Sequence, residues 1–143
     1  MALDNLVVFH KQIDLIQDCI KRMANNSFLI KGWAIGILTI AMILLKEISI
    51  IGILICFIPL ISFWYLDSFF LMTEKHYRFM YEKLIKTNPE VEINLDFYDL
   101  NPQKYREKIE QIDVMLSATL IGFYGSLCAT VFIIFMVKKF VCF

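Results

Sequence analysis

The chain has 143 residues, of which 59% are hydrophobic and 15% aromatic, and its mean hydropathy is +0.64. Ordinary soluble domains are nearer about 45–50% apolar, so a plain water-soluble globule is excluded as a first reading. Fourteen basic and fourteen acidic residues give zero net charge, which removes the electrostatic grounds for nucleic acid binding.

Leu6, Phe9, Ile13, Ile16, Ile20 and Met23 recur at alternate spacings of three and four, which predicts an amphipathic helix over residues 4–26. Asp14, Gln17, Asp18, Lys21 and Arg22 face away from that seam. So narrow a seam wants a partner helix. It folds back on the chain's own long helix or forms a cytoplasmic assembly face with another subunit; both readings stay open.

The apolar run of residues 28–45 contains one charge, Lys31. Its length is about 27 Å as a helix, enough to cross the hydrocarbon core. Lys31 is expected to snorkel back to the headgroups, with Trp33 beside it as a second interface anchor. A functional lysine within the membrane is the alternative. Gly32 and Gly36 form a G-x-x-x-G motif in the same run.

Lys46 and Glu47 are the polar break before the next run, so the first two spans form a tight antiparallel hairpin. From Ile48 to Leu66 there are 19 residues without a charge, and Asp67 marks the exit. Trp64 and Tyr65 fall at that boundary as interface anchors. Nothing stops the helix before Lys86, so the second span continues out of the bilayer as an amphipathic rod. Pro59 takes away the donor to the Ile55 carbonyl, which predicts a helix bend, or a carbonyl met by Ser62 or a neighbouring helix. A gating hinge is the sharper reading.

Asn88-Pro89 ends the rod. The stretch PEVEINLDFYDLNP carries Glu90, Glu92, Asp96 and Asp99 without a base, and Val91, Ile93, Leu95 and Phe97 alternate with polar residues. It reads as a solvated acidic connector, or as a strand docked on a neighbour. Asn101-Pro102 starts a short charged helix. Residues 114–137 are uncharged and make a third span. Its strip of small residues, Ala118, Gly122 and Ser126, is expected to meet Gly32 and Gly36, within one subunit or between two.

Eleven Lys and Arg residues lie in 1–31 and 67–113, against three elsewhere. The basic side stays cytoplasmic, which places the N-terminus and the middle segment inside, with Lys138 and Lys139 dissenting. The expected architecture is all-α: a cytoplasmic amphipathic helix (1–27), a transmembrane hairpin (28–66), a cytoplasmic extension with an acidic connector and a short helix (67–113), a third transmembrane helix (114–137) and a short tail (138–143).

Catalytic chemistry is not legible. Cys19, Cys56, Cys128 and Cys142 form no C-x-x-C and read as reduced packing thiols. His10 and His76 have no second ligand at helical spacing, no acid falls inside a predicted span, and phosphate-loop, nucleophile-elbow and zinc-protease motifs are missing. No enzyme activity, cofactor or metal is expected, and the acidic N-terminus argues against a cleaved signal peptide.

The phrases KRMANNSFLIKGWA (21–34) and FWYLDSFFLMTEKHYRFMYEKL (63–84) resemble small bacterial membrane proteins encoded near nucleotide-signalling or TIR-type immune sensors. The plan of residues 4–86 is similar to the SLATT class, in which an N-terminal helix, a two-helix membrane hairpin and an amphipathic cytoplasmic helix make a proposed pore-forming effector of anti-phage systems. The third span departs from that plan. The resemblance implies a multi-pass protein of the bacterial inner membrane, a homo-oligomer in contact with lipid, that depolarises the membrane when a cytoplasmic sensor or ligand triggers it. A passive anchor for a separate soluble sensor or enzyme is the alternative.

Overall fold

The computed structural model describes residues 2–44, 50–86, 100–102 and 109–141. Four helices account for nearly all of these, and no strand occurs among the described residues: α1 (Ala2–Leu44), α2 (Ile50–Lys86), α3 (Gln111–Met115) and α4 (Ala118–Val141). Three of them are long and apolar enough to cross a membrane. The chain is thus an all-α membrane protein, as its uncharged runs predict.

The expected division between a cytoplasmic helix and a first span at residues 27 and 28 is not a break, because α1 is one helix of 43 residues. Asn25, Asn26 and Ser27 are only mediocre helix formers, but no Gly or Pro interrupts them and packing decides. At 1.5 Å per residue α1 measures about 65 Å and α2 about 55 Å, against about 30 Å of hydrocarbon. Each rod therefore has a spanning half and a protruding half.

The two rods pack antiparallel in one register over most of their length. Ile16 meets Tyr77 and Met80 at the protruding end, while Ala34 shares a cluster with Leu60, and Leu38 with Cys56, in the spanning half. The inward residues of α1 continue the spacing of three and four through Ile16, Met23, Ser27, Ile30, Ala34 and Leu38. Of the seam proposed for assembly, Ile16, Ile20 and Met23 are occupied by the chain's own α2, while Leu6 stays 46% exposed and Phe9 and Ile13 are half-buried. Half of that seam thus packs within the chain, against α2.

Ile16 has no exposed surface, and Ile16→Ala leaves a void between two rods that cannot close independently. A loss of about 2–5 kcal/mol is expected, because this half of the hairpin lies outside lipid and the full transfer cost applies. Denaturant titration in detergent, read by protease cleavage within the protruding half, checks it; an unshifted midpoint contradicts the packing.

α2 stays helical through Pro59. The Ser62 hydroxyl donates to the Ile58 carbonyl at 2.9 Å, so it does not serve the Ile55 carbonyl as expected. The third span begins later than predicted: α3 ends at Met115, a turn follows at Leu116–Ser117, and α4 starts at Ala118. α4 then runs to Val141, past the Lys138-Lys139 pair expected to end it. The hairpin turn at Lys46-Glu47, the acidic stretch of 87–99, most of the short charged helix after Pro102 and the last two residues lie outside the described residues.

Candidate functional site

Exposed apolar side chains mark where lipid meets the bundle. Their dense run on α1 extends from Phe28 to Leu44 and on α2 from Leu54 to Phe69, with Leu6, Val7 and Ile85 exposed singly near the far ends of the rods. Lys31 is three residues inside the edge on α1, about 4.5 Å along the axis, and Asp67 is two residues inside it on α2. Both charges thus lie within the apolar band, at its rim.

They lie together. Asp67 has no exposed surface, and its Oδ2 is 2.7 Å from the Lys31 ammonium, whose side chain is 21% exposed. Ser27, one turn from Lys31 on α1, donates its hydroxyl to Asp67 Oδ1 and accepts from Lys31 Nζ at 2.8 Å. From α4, the Tyr124 hydroxyl bridges to Asp67 Oδ2 at 3.1 Å and to the Phe63 carbonyl at 3.2 Å. Lys31 also stands 5.9 Å from the Phe123 ring centroid, a cation–π distance. One carboxylate on α2 therefore receives donors from both other spanning helices.

Hairpin register places these groups. Ser27 stands opposite Asp67, and lysine side chains lean toward the N-terminus of their helix, so Lys31 reaches back one turn to the same carboxylate. Each partner meets the cost of burying the other only because the remaining lone pairs are filled by Ser27 and Tyr124. A second layer lies beside the first. Tyr124 stacks on Trp64 with ring centroids 5.9 Å apart, Trp64 Nε1 donates to the Met115 carbonyl at 3.1 Å, and Gln111 Nε2 donates to Ser68 Oγ at 3.1 Å. Buried Ser68 in turn donates to the Tyr65 carbonyl at 2.6 Å.

Several expected roles change accordingly. Lys31 does not snorkel to the headgroups but is held in the bundle by Asp67. Trp64 turns inward onto α4, leaving Trp33 at 65% exposure and Tyr65 at 56% as the outward aromatic residues of the rim. The first and third spans do not meet through their glycines within one subunit: a Cβ built on Gly32, Gly36 or Gly122 touches nothing within 4 Å. Ala118, Gly122 and Ser126 are exposed, because α4 turns Leu120, Tyr124, Leu127 and Val131 toward the hairpin instead. Farther into the membrane, α1 and α4 together line an apolar cavity of about 250 Å³, with Leu38, Met42, Leu127 and Val131 among its walls.

Sequence reasoning missed Ser27, Asp67 and Tyr124 as members of one site. The signal was there: extending the seam of Ile16, Ile20 and Met23 by one more step lands on Ser27, its one hydroxyl, at the level of the acid that ends the second run. Cys19, Cys56 and Cys128 carry free thiols, and no group of metal-ligating side chains gathers among the described residues.

Fold and site together define a polytopic α-helical membrane protein with a buried charge pair at the rim of its spans. No protein-family model, no curated protein and no solved structure matches the chain.

Proposed function

We propose that the chain is a membrane-embedded effector of a bacterial defence or toxin system. In this reading the N-terminus and residues 67–113 face the cytoplasm of the host cell, and copies assemble in the inner membrane. A cytoplasmic sensor or ligand then acts on the protruding hairpin, and the spans admit ions and depolarise the cell. The observation that carries the reading is mechanical: α1 and α2 pass from outside the bilayer into it without a break and meet there at a buried ion pair. A displacement applied at the protruding end is therefore delivered to the spans. Intramembrane ionisable residues are costly, and their retention is by default a sign of use. Thr119, Ser126 and Thr130 are exposed on α4, and although Ser126 and Thr130 donate to carbonyls of their own helix, their oxygens can still accept, which offers an assembly the beginnings of a polar wall.

Induced expression of the full chain in a bacterial host is expected to collapse the membrane potential, read with a cationic dye, and to admit a membrane-impermeant DNA stain. Full viability with intact potential, when the genes native to its neighbourhood are supplied as well, overturns the reading. The second reading, a passive anchor, is favoured by the apolar outer faces of the spanning halves of α1 and α2. It expects function to survive replacement of residues 28–66 by a foreign transmembrane hairpin, whereas the effector reading expects that exchange to abolish depolarisation.

A further inference from the structure

We infer that Asp67 is the junction through which the register of the two rods controls the seating of the third span. The inference rests on the effector reading for its purpose but not for its geometry. Asp67 Oδ2 is shared: Lys31 of α1 holds it at 2.7 Å and Tyr124 of α4 at 3.1 Å, while Ser27 of α1 takes Oδ1. Sliding α1 against α2 removes the ammonium from Oδ2 and obliges the carboxylate to turn, and the acceptor that seats Tyr124 turns with it. Among the described residues Lys31 and Ser27 make no hydrogen bond to α4 of their own; the direct approach of Lys31 to α4 is its ammonium 5.9 Å from the Phe123 ring centroid, and the hydrogen-bonded route from α1 to α4 runs through Asp67.

The rest of the α4 contact makes such control effective. Its polar attachments gather at the rim, at Tyr124 and at the Trp64 bond to Met115 just before the turn of Leu116–Ser117. Deeper in the membrane, the described contacts of α4 with the hairpin are between apolar side chains, beside the cavity between α4 and α1. The hydroxyls nearest that cavity, Thr39 and Thr130, are spent on carbonyls of their own helices. Apolar contacts between helices in lipid compete with equally apolar acyl chains, so the rim bonds carry most of the specificity of seating. α4 is pinned at one end and replaceable by lipid at the other.

Trp64 reports the seating, since its ring is covered by Tyr124. The chain has only two tryptophans, so Trp33→Phe in the full-length protein leaves Trp64 as the sole indole. Reconstituted into bilayers containing phosphatidylcholine brominated on its acyl chains, the reporter is expected to be shielded from bromine quenching. Tyr124→Phe should raise the quenching, and so should Lys31→Met, although Lys31 lies on a different helix from Tyr124. Added to Asp67→Asn, Lys31→Met should raise the quenching much less than it does alone, the remainder being its direct contact with the Phe123 ring. Quenching that rises in Tyr124→Phe but stays at the parent value in Lys31→Met overturns the inference, as does an equal effect of Lys31→Met with and without Asp67. Should Lys31→Met lose its helical circular dichroism, Ser27→Ala deletes one donor, leaves the ion pair and serves the same comparison. A shift in quenching without any effect on membrane potential leaves the junction standing and removes the effector reading.

Discussion

Lys31→Met is expected to be the most damaging single substitution within the spans, costing about 3–5 kcal/mol, because it leaves the carboxyl of Asp67 without its counter-ion in an apolar bundle. The attraction itself is not what is lost, since the gain from a buried pair is largely cancelled by the desolvation of both ions. What destabilises is the uncompensated survivor. The double variant Lys31→Met, Asp67→Leu should therefore return to within about 1–2 kcal/mol of the parent. Its two orphaned hydroxyls have other acceptors: Tyr124 keeps the Phe63 carbonyl, and Ser27 can turn to a carbonyl one turn back on its own helix. SDS titration of the folded protein in mixed micelles, followed by circular dichroism, measures both. Equal loss in the single and double variants would show that packing at these positions matters and charge does not.

Within the spans Tyr124→Ala should come next, at about 2–4 kcal/mol, and its origin differs from that of a core truncation in water such as Ile16→Ala. Tyr124 is completely buried, stacks on Trp64 and meets Phe123 edge-on at 5.1 Å. Lipid is as apolar as the bundle interior, so removing the ring forfeits little transfer free energy. The loss comes from the cavity, the stacking and the hydroxyl that caps Asp67. Tyr124→Phe isolates the last of these at about 1–2 kcal/mol, since it keeps the ring and deletes the donor. The same SDS titration separates them: two variants of equal stability would place the whole effect in the hydroxyl.

Helices and spans were legible from pattern and charge. The spacing of Leu6 to Met23 and the uncharged runs on either side of Lys46-Glu47 are direct readings of period and hydropathy, and the long exit helix followed from the lack of any stop before Lys86. The site was not legible, for a physical reason. Lys31 and Asp67 each stand at the edge of an apolar run, where a headgroup or water is a sufficient partner, so neither demands the other. Only the register of the hairpin brings them together, and register is a property of two helices at once. Tyr124 was hidden differently. In α4 every face is apolar, so the inward row of Leu120, Tyr124, Leu127 and Val131 has no polar face to stand out against, and the small residues drew attention to the wrong side. The turn at Leu116–Ser117 carries neither Gly nor Pro and gave no sequence signal at all.

A zero-length crosslink reads the contact itself. A hydrophobic carbodiimide adds to a carboxyl within the bilayer as an O-acylisourea, and an amine at 2.7 Å displaces the substituted urea, which takes one carboxyl oxygen and the two protons the ammonium gives up, joining the two side chains through an amide. Treatment of the full-length protein in its membrane, followed by proteolysis and mass spectrometry, is expected to yield the peptide around Lys31 joined to the peptide around Asp67. Recovery of the two peptides separately, with Asp67 carrying the unreacted carbodiimide adduct and Lys31 free, would contradict the buried pair on which the coupling of the three spans depends.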